Sequence, residues 1–193
     1  DNNATNDTIA QTDFLLDNYL TGFEPNDDNE NWTALSLQGV NEWIIMDDVN
    51  NAHTGTHYYA VRTDGAGGNT ANDDWLFSGC QHLEAGTCYE LSFWYRSRYS
   101  TENLTVYMGS AATTESMTTE LIDLPAIGSN SYEQATILIN VETSGAYYIG
   151  FHTDGATSGR YYVLIDDVTL EQSQTQPSLD FEHTIMGREV VFN

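Results

Sequence analysis

Two carboxylates stand side by side inside an otherwise apolar stretch, Tyr161-Tyr162-Val163-Leu164-Ile165-Asp166-Asp167-Val168-Thr169-Leu170. Its β-branched and aromatic residues, with no Gly or Pro, predict a strand long enough to cross a whole sheet. Side chains alternate across a strand, so one of the two carboxylates is expected on the face of Val168 and Leu170. An unpaired buried carboxylate is costly, and a cation or several donors must meet it. The chain has no Lys, and the Arg close by in sequence is Arg160. A metal ion is the expected partner, and carboxylate oxygens select a hard cation, Ca²⁺ ahead of any transition metal.

A second oxygen-rich stretch, Pro25-Asn26-Asp27-Asp28-Asn29-Glu30-Asn31, sets Asp27, Asn29 and Asn31 at the alternate positions of a calcium loop. Trp32 stands where an EF-hand needs Gly, which excludes an EF-hand. An irregular Ca²⁺ loop and a plain solvated turn both fit the remaining pattern. His53 and His57 have metal-ligand chemistry, but two His without Cys or a third His are more often satisfied loop and strand residues.

A possible ligand surface comes from strand parity. Leu91-Ser92-Phe93-Trp94-Tyr95-Arg96 alternates so that Leu91, Phe93 and Tyr95 face the core while Trp94 and Arg96 face outward. An outward indole offers a stacking platform, and a guanidinium offers forked donors for hydroxyls or carboxylates. On Leu104 to Met108, Tyr107 has the outward parity, and around residues 147 to 152 so does His152, with Gly150 leaving room for a ring. If the first two strands pair, Trp94, Arg96, Tyr107 and His152 line one concave glycan or peptide site. The competing reading buries Trp94 under a loop as a small second core.

The elements that must carry these residues are short β-type runs separated by turn residues, an all-β pattern. Strands are expected at residues 43–46, 57–63, 88–97, 104–108, 136–141 and 147–153, and one helical turn within 111–121. Cys80 and Cys88 flank a turn-like loop, an arrangement that suits a loop-closing disulfide in an oxidising compartment, with two reduced thiols as the alternative. Residues 1–18 read as a polar linker, 19–171 as the folded domain, 172–178 as a second linker and 179–193 as the truncated start of another β-domain. The chain is therefore expected to be a piece of a longer modular protein.

The 193 residues carry 29 acidic groups against five Arg, a net charge of −24. Such a surface repels phosphate backbones and anionic lipid, which argues against nucleic-acid and membrane partners. No apolar run reaches 18 residues. Catalytic signatures are missing as well: there is no Gly-x-Ser-x-Gly elbow, no His-Glu-x-x-His and no phosphate-binding Gly loop.

Five pieces, taken together and in order, carry a resemblance: Phe23-Glu24, His53-Thr54-Gly55, Asn72-Asp73-Asp74-Trp75-Leu76-Phe77-Ser78, Leu91-Ser92-Phe93-Trp94 and Ile165-Asp166-Asp167-Val168-Thr169-Leu170. Over residues 20 to about 171 the chain resembles the cleaved adhesin domains of gingipain haemagglutinin regions, and the related choice-of-anchor and MAM domains. The resemblance implies a jelly-roll β-sandwich of two antiparallel sheets, secreted or at the cell surface and not an enzyme. It also implies structural Ca²⁺ near the first and last strands, which carries the metal role to Glu24, Asp166 and Asp167. Where MAM domains place an Asp before the His-Thr pair this chain has Ala52, so that ligand is not carried over. Residues 179–193 resemble the start of a polycystic-kidney-disease-type immunoglobulin domain. The expected role is a calcium-stabilised binding module for glycan or extracellular protein; a ligand-free spacer, or an accessory domain of a secreted hydrolase, is the alternative.

Overall fold

Alternation of apolar and polar residues produces twelve strands, described in a computed structural model over residues 19–63, 71–155 and 160–173. In chain order they are β1 (Tyr19–Thr21), β2 (Thr33–Gln38), β3 (Ile44–Asp47), β4 (His57–Arg62), β5 (Asn72–Phe77), β6 (Gln81–Leu83), β7 (Cys88–Arg98), β8 (Glu102–Gly109), β9 (Thr119–Ile127), β10 (Glu133–Asn140), β11 (Gly145–Gly155) and β12 (Tyr162–Gln172). Single 3₁₀ turns occur at Asn29–Asn31 and Thr114–Ser116, the second within the segment where one helical turn is expected. The expected linker 1–18, residues 174–178 of the expected linker 172–178, and the expected second domain 179–193 lie outside the described residues; Gln172 closes β12 and the Ser173 N–H donates to Cys88 O at 2.8 Å, so the domain runs past residue 171.

The strands form two antiparallel sheets. The first runs β10-β7-β12-β4-β3, with β1 also paired to β12, and the second runs β2-β5-β11-β8-β9, with β6 also paired to β11. Consecutive strands such as β7 and β8 lie in different sheets, as in a jelly-roll sandwich. The inner faces meet in a core that includes Leu91, Phe93 and Tyr95 of β7, Leu104, Val106 and Met108 of β8, and Ile149 and Phe151 of β11. Phe93 meets Phe151 edge to face at 5.2 Å, so an aromatic pair spans the two sheets. Among the described residues no helix is long and apolar enough to cross a membrane.

Three expectations need correction. Cys80 and Cys88 are both free thiols. Residues 84–87 carry the chain from β6, which is paired with β11 of the second sheet, to β7 in the first, so Cys88 is buried there while Cys80, just before β6, is exposed. Sheets pack about 10 Å apart, beyond the reach of a disulfide. Strict alternation along β12 also fails. Pairing with β7 shifts register between Asp166 and Thr169, and Asp167 has a left-handed φ of 44°. This bulge resets the parity. Val163, Ile165, Val168 and Leu170 all enter the core, and Asp166, fully buried, falls on the opposite face. Thirdly, β7 pairs with β10 and β12, not with β8, so the strand pairing needed for a single four-residue ligand site does not form.

Candidate functional site

The closing Asp pair meets the opening Glu through one loop, residues 53–57. Glu24 Oε1 accepts from the backbone N–H of Thr56 at 2.7 Å and of His57 at 2.9 Å, while Oε2 lies 3.2 Å from His57 Nδ1. Asp166 Oδ2 accepts from His53 N–H at 2.7 Å and its Oδ1 from Asp167 N–H at 2.8 Å. Asp167 Oδ1 accepts from the Thr54 hydroxyl at 2.7 Å, and Oδ2 lies 2.5 Å from His53 Nδ1. Two glycines make the room. A Cβ on Gly22 would stand 3.1 Å from Asp167 Oδ1 and 3.9 Å from Glu24 Cγ, which puts both acids beside the same backbone. Gly55, at φ 59°, is left-handed, and a Cβ there would collide with the Glu24 carboxylate.

The electrostatics follow from these contacts. Backbone donation from His57 leads the effects that hold Glu24 below its ordinary range. Burial pushes Asp166 up to about 7, and the adjacent Asp167 charge adds to the rise against the lowering effect of the His53 N–H. Arg160, the nearby cation in sequence, is spent elsewhere: its Nε donates to the buried Glu102 at 2.8 Å. Among the described residues no three His, Cys, Asp or Glu side chains form a ready-made metal cluster. The carboxylate oxygens of Glu24, Asp166 and Asp167 are instead met by the N–H, hydroxyl and imidazole groups of the 53–57 loop and by the Asp167 N–H.

The Asp27 to Asn31 stretch divides. Asp27 joins the Glu24 neighbourhood, its Oδ2 accepting from the N–H of Gly22 at 2.9 Å and of Glu24 at 3.0 Å. Asn29 donates through Nδ2 to the carbonyls of Phe23 and Glu24, and its buried Oδ1 has no partner. Asn31 turns outward and donates to both oxygens of Asp28.

The ligand residues expected to act together lie on opposite faces of the sandwich. Trp94 and Arg96 are on the outer face of the first sheet, under the 48–56 loop. The His53 ring stacks on Trp94 at 3.9 Å. Arg96 donates to Asn130 O at 2.8 Å, to Asn51 O at 3.1 Å and to Asn51 Oδ1 at 2.6 Å, with its guanidinium 4.9 Å from the Tyr132 ring centroid. Both are engaged in holding loops, as the second-core reading has it.

Tyr107 and His152 come together on the outer face of the second sheet. Strand register there sets Leu35, Trp75, His152, Thr105 and Asp123 in one row across β2, β5, β11, β8 and β9. Trp75 stacks on His152 at 4.0 Å and lies 5.4 Å from Tyr107. Asp73 Oδ1 accepts from Trp75 Nε1 at 3.2 Å and lies 2.9 Å from His152 Nε2. Tyr107 and Gly150 belong to the next row, where Met117 covers Gly150: a Cβ would lie 2.9 Å from its sulfur. Sequence reasoning missed Trp75 and Asp73. Their shared parity in Asn72-Asp73-Asp74-Trp75 was the available signal, with Asp74 inward and fully buried.

Two antiparallel sheets joined in this way, with Glu24 and the Asp166-Asp167 pair brought together by the 53–57 loop, define a jelly-roll β-sandwich. The chain belongs to the MAM domain family (meprin/A5/mu), whose model matches residues 12–176. Among solved structures it is similar to the K1 cleaved adhesin domain of Lys-gingipain from Porphyromonas gingivalis W83, at 19% identity and TM-score 0.66, covering 81% of this chain and 98% of that one. It is also similar to TmCBM61 in complex with β-1,4-galactotriose, at 15% identity and TM-score 0.52 over 74% of this chain and 88% of that one. A third is the CBM22-1 xylan-binding domain from Paenibacillus barcinonensis Xyn10C, at 10% identity and TM-score 0.52 over 81% and 94%. No curated protein matches the chain in sequence.

Proposed function

We propose that this chain is a non-catalytic, calcium-stabilised binding module of a secreted or cell-surface multidomain protein, and that it recognises glycan through the outer face of its second sheet. The row Leu35, Trp75, His152, Thr105 and Asp123, with Tyr107 beside it, carries the reading. It sets exposed Leu35 and Asp123 beside half-buried His152, Thr105 and Tyr107 on a rigid sheet, with Trp75 buried under the His152 ring among Phe77 and Met117 as its support, so the accessible groups mix apolar, aromatic and hydrogen-bonding character as a sugar-binding surface does. The adhesin, galactotriose-bound and xylan-binding proteins of like fold support a binding role over an enzymatic one. Ca²⁺ would be held by Glu24, Asp166 and Asp167, with Asp27 adjacent, and would neutralise acids drawn from both ends of the domain. His53, Thr54 and Thr56 position these acids through the bonds of the 53–57 loop.

A glycan array on the chain, with and without Ca²⁺, tests this. Binding should appear to a defined set of neutral glycans and be lost in Tyr107→Ala and His152→Ala while the melting temperature stays close to the parent's. An array silent under all conditions, or binding untouched by both substitutions, overturns the reading.

A further inference from the structure

The first sheet's outer face holds a cavity of about 90 Å³ lined by Met46, Tyr58, Arg98, Tyr161, Tyr162 and Leu164. Register across the sheet sets Arg62 of β4, Tyr162 of β12 and Arg98 of β7 in one row, so a tyrosine is flanked by two of the five Arg in a chain of net charge −24. The cations have different duties. Arg160 is consumed by Glu102, Arg96 ties down Asn51 and Asn130, and Arg62 lies 5.4 Å from the Tyr161 ring centroid. Among the described residues Arg98 makes no salt bridge. Its charge is felt by Asp48, but its guanidinium lies over the Tyr99 ring at 5.1 Å. In a protein with 29 acids, Arg98 is hydrogen-bonded to the Tyr99 side chain and lies beside a cavity with no carboxylate in salt-bridge range among the described residues, which makes it the cation an external anion entering that cavity would meet.

The residue next to the lining Arg98 carries backbone strain. Tyr99 has φ 69°, a conformation that disfavours any side chain and a bulky one most. Its N–H donates to Asn130 Oδ1 at 3.0 Å, which holds the turn, and the ring is left 73% exposed, 5.9 Å from Tyr161. Two phenol rings, an apolar floor and a forked donor are what a pyranose with an acidic substituent needs. The volume equals about three waters, enough for a carboxylate or sulfate but not for a whole ring, which would rest on Tyr99 and Tyr161.

We propose that this pocket binds an anionic sugar residue, its carboxylate or sulfate on the Arg98 guanidinium and its ring against Tyr99 and Tyr161. The proposal shares only its ligand class with the preceding reading, because the two surfaces lie on opposite faces of the sandwich. The test is ¹H–¹⁵N titration of the chain with D-glucuronate, D-glucose 6-sulfate and D-glucose, in about 0.15 M NaCl so that long-range repulsion from the acidic surface is screened. One or both anions should give saturable shifts at Arg98, Tyr99 and Tyr162, with glucose giving none there. A response to glucuronate alone assigns a uronic acid, and one to the sulfate alone a sulfated sugar. Arg98→Gln should weaken binding at least tenfold. Arg98→Lys, which keeps the charge without the fork, should fall between, and serves if the Gln variant fails to fold. Tyr107→Ala should leave this titration unchanged, so failure here and failure of the other surface are separable. No saturable response to either anion, an equal response to glucose, or an Arg98→Gln variant that binds like the parent overturns the proposal.

Discussion

Asp74→Asn should stabilise this domain, although it removes a carboxylate from a sheet centre. Asp74 points into the sandwich and is fully buried. Its Oδ2 accepts from Asn72 Nδ2 at 3.1 Å, while Oδ1 has no partner, and neither does the buried Oδ1 of Asn72. Burial pushes the Asp74 carboxyl above its ordinary 3.8, and the Asn72 bond offsets this only in part. The sign follows from linkage. With the folded value above the unfolded one, the folded state binds the proton more tightly, so this group costs stability increasingly as pH rises through the window above 3.8. An amide carries no charge and supplies an N–H₂ group to a neighbourhood with an orphaned acceptor. Relief of a buried unsatisfied group is worth about 1–3 kcal/mol. With a urea slope of about 2 kcal/mol/M, the unfolding midpoint of the variant should lie about 1 M higher near neutral pH. The gain should shrink as pH falls toward 3.8. Urea curves for parent and variant at several pH values, compared as a double difference, cancel the other carboxylates. A variant less stable than the parent near neutrality, or a gain that does not change with pH, refutes the reasoning.

Chelation should lower the melting temperature if Ca²⁺ joins Glu24, Asp166 and Asp167. A folded-state ligand at a hundredfold excess over Kd contributes about 2.7 kcal/mol, and an unchanged melting curve in chelator removes the ion from the account. Glu102→Ala leaves the Arg160 guanidinium, 10% exposed, without its carboxylate and strips the Thr63 hydroxyl of its acceptor. A loss of about 3–5 kcal/mol in denaturant midpoint analysis is expected, and a loss under about 1 kcal/mol would mean that the pair is not buried in solution. Arg96→Ala should cost about 2 kcal/mol and expose the 48–56 loop to proteolysis, because the guanidinium joins Asn51 and Asn130; intact protease resistance would deny it that role.

Much of the sandwich was legible in the chain. Period-two alternation at Leu91, Phe93 and Tyr95, at Leu104, Val106 and Met108, and at Ile149 and Phe151 specified which side chains enter the core, because a strand between a core and solvent must sort its residues by parity. The approach of Glu24 to Asp166 and Asp167 was not readable from alternation or spacing; it was implied by the resemblance that the ordered motifs carry, and the structure places these acids around the same loop. Parity assigned Trp94, Arg96, Tyr107 and His152 outward, and each does face away from the core.

What parity cannot carry is which strands become neighbours. Placing β7 in one sheet and β8 in the other sends Trp94 and Arg96 to the opposite face from Tyr107 and His152, and carries Cys88 away from Cys80. That choice depends on non-local packing, in which Phe93 and Phe151 face one another across the sandwich and strands distant in sequence pair. Tertiary structure also decided the position of Asp166. A strand read alone must keep its alternation, but a bulge at Asp167, held by His53 and Thr54 from the far side of the chain, breaks it. The residue types were determined by the sequence; for Asp166 and Asp167 the face on which each acts was decided by contacts with His53 made more than a hundred residues away.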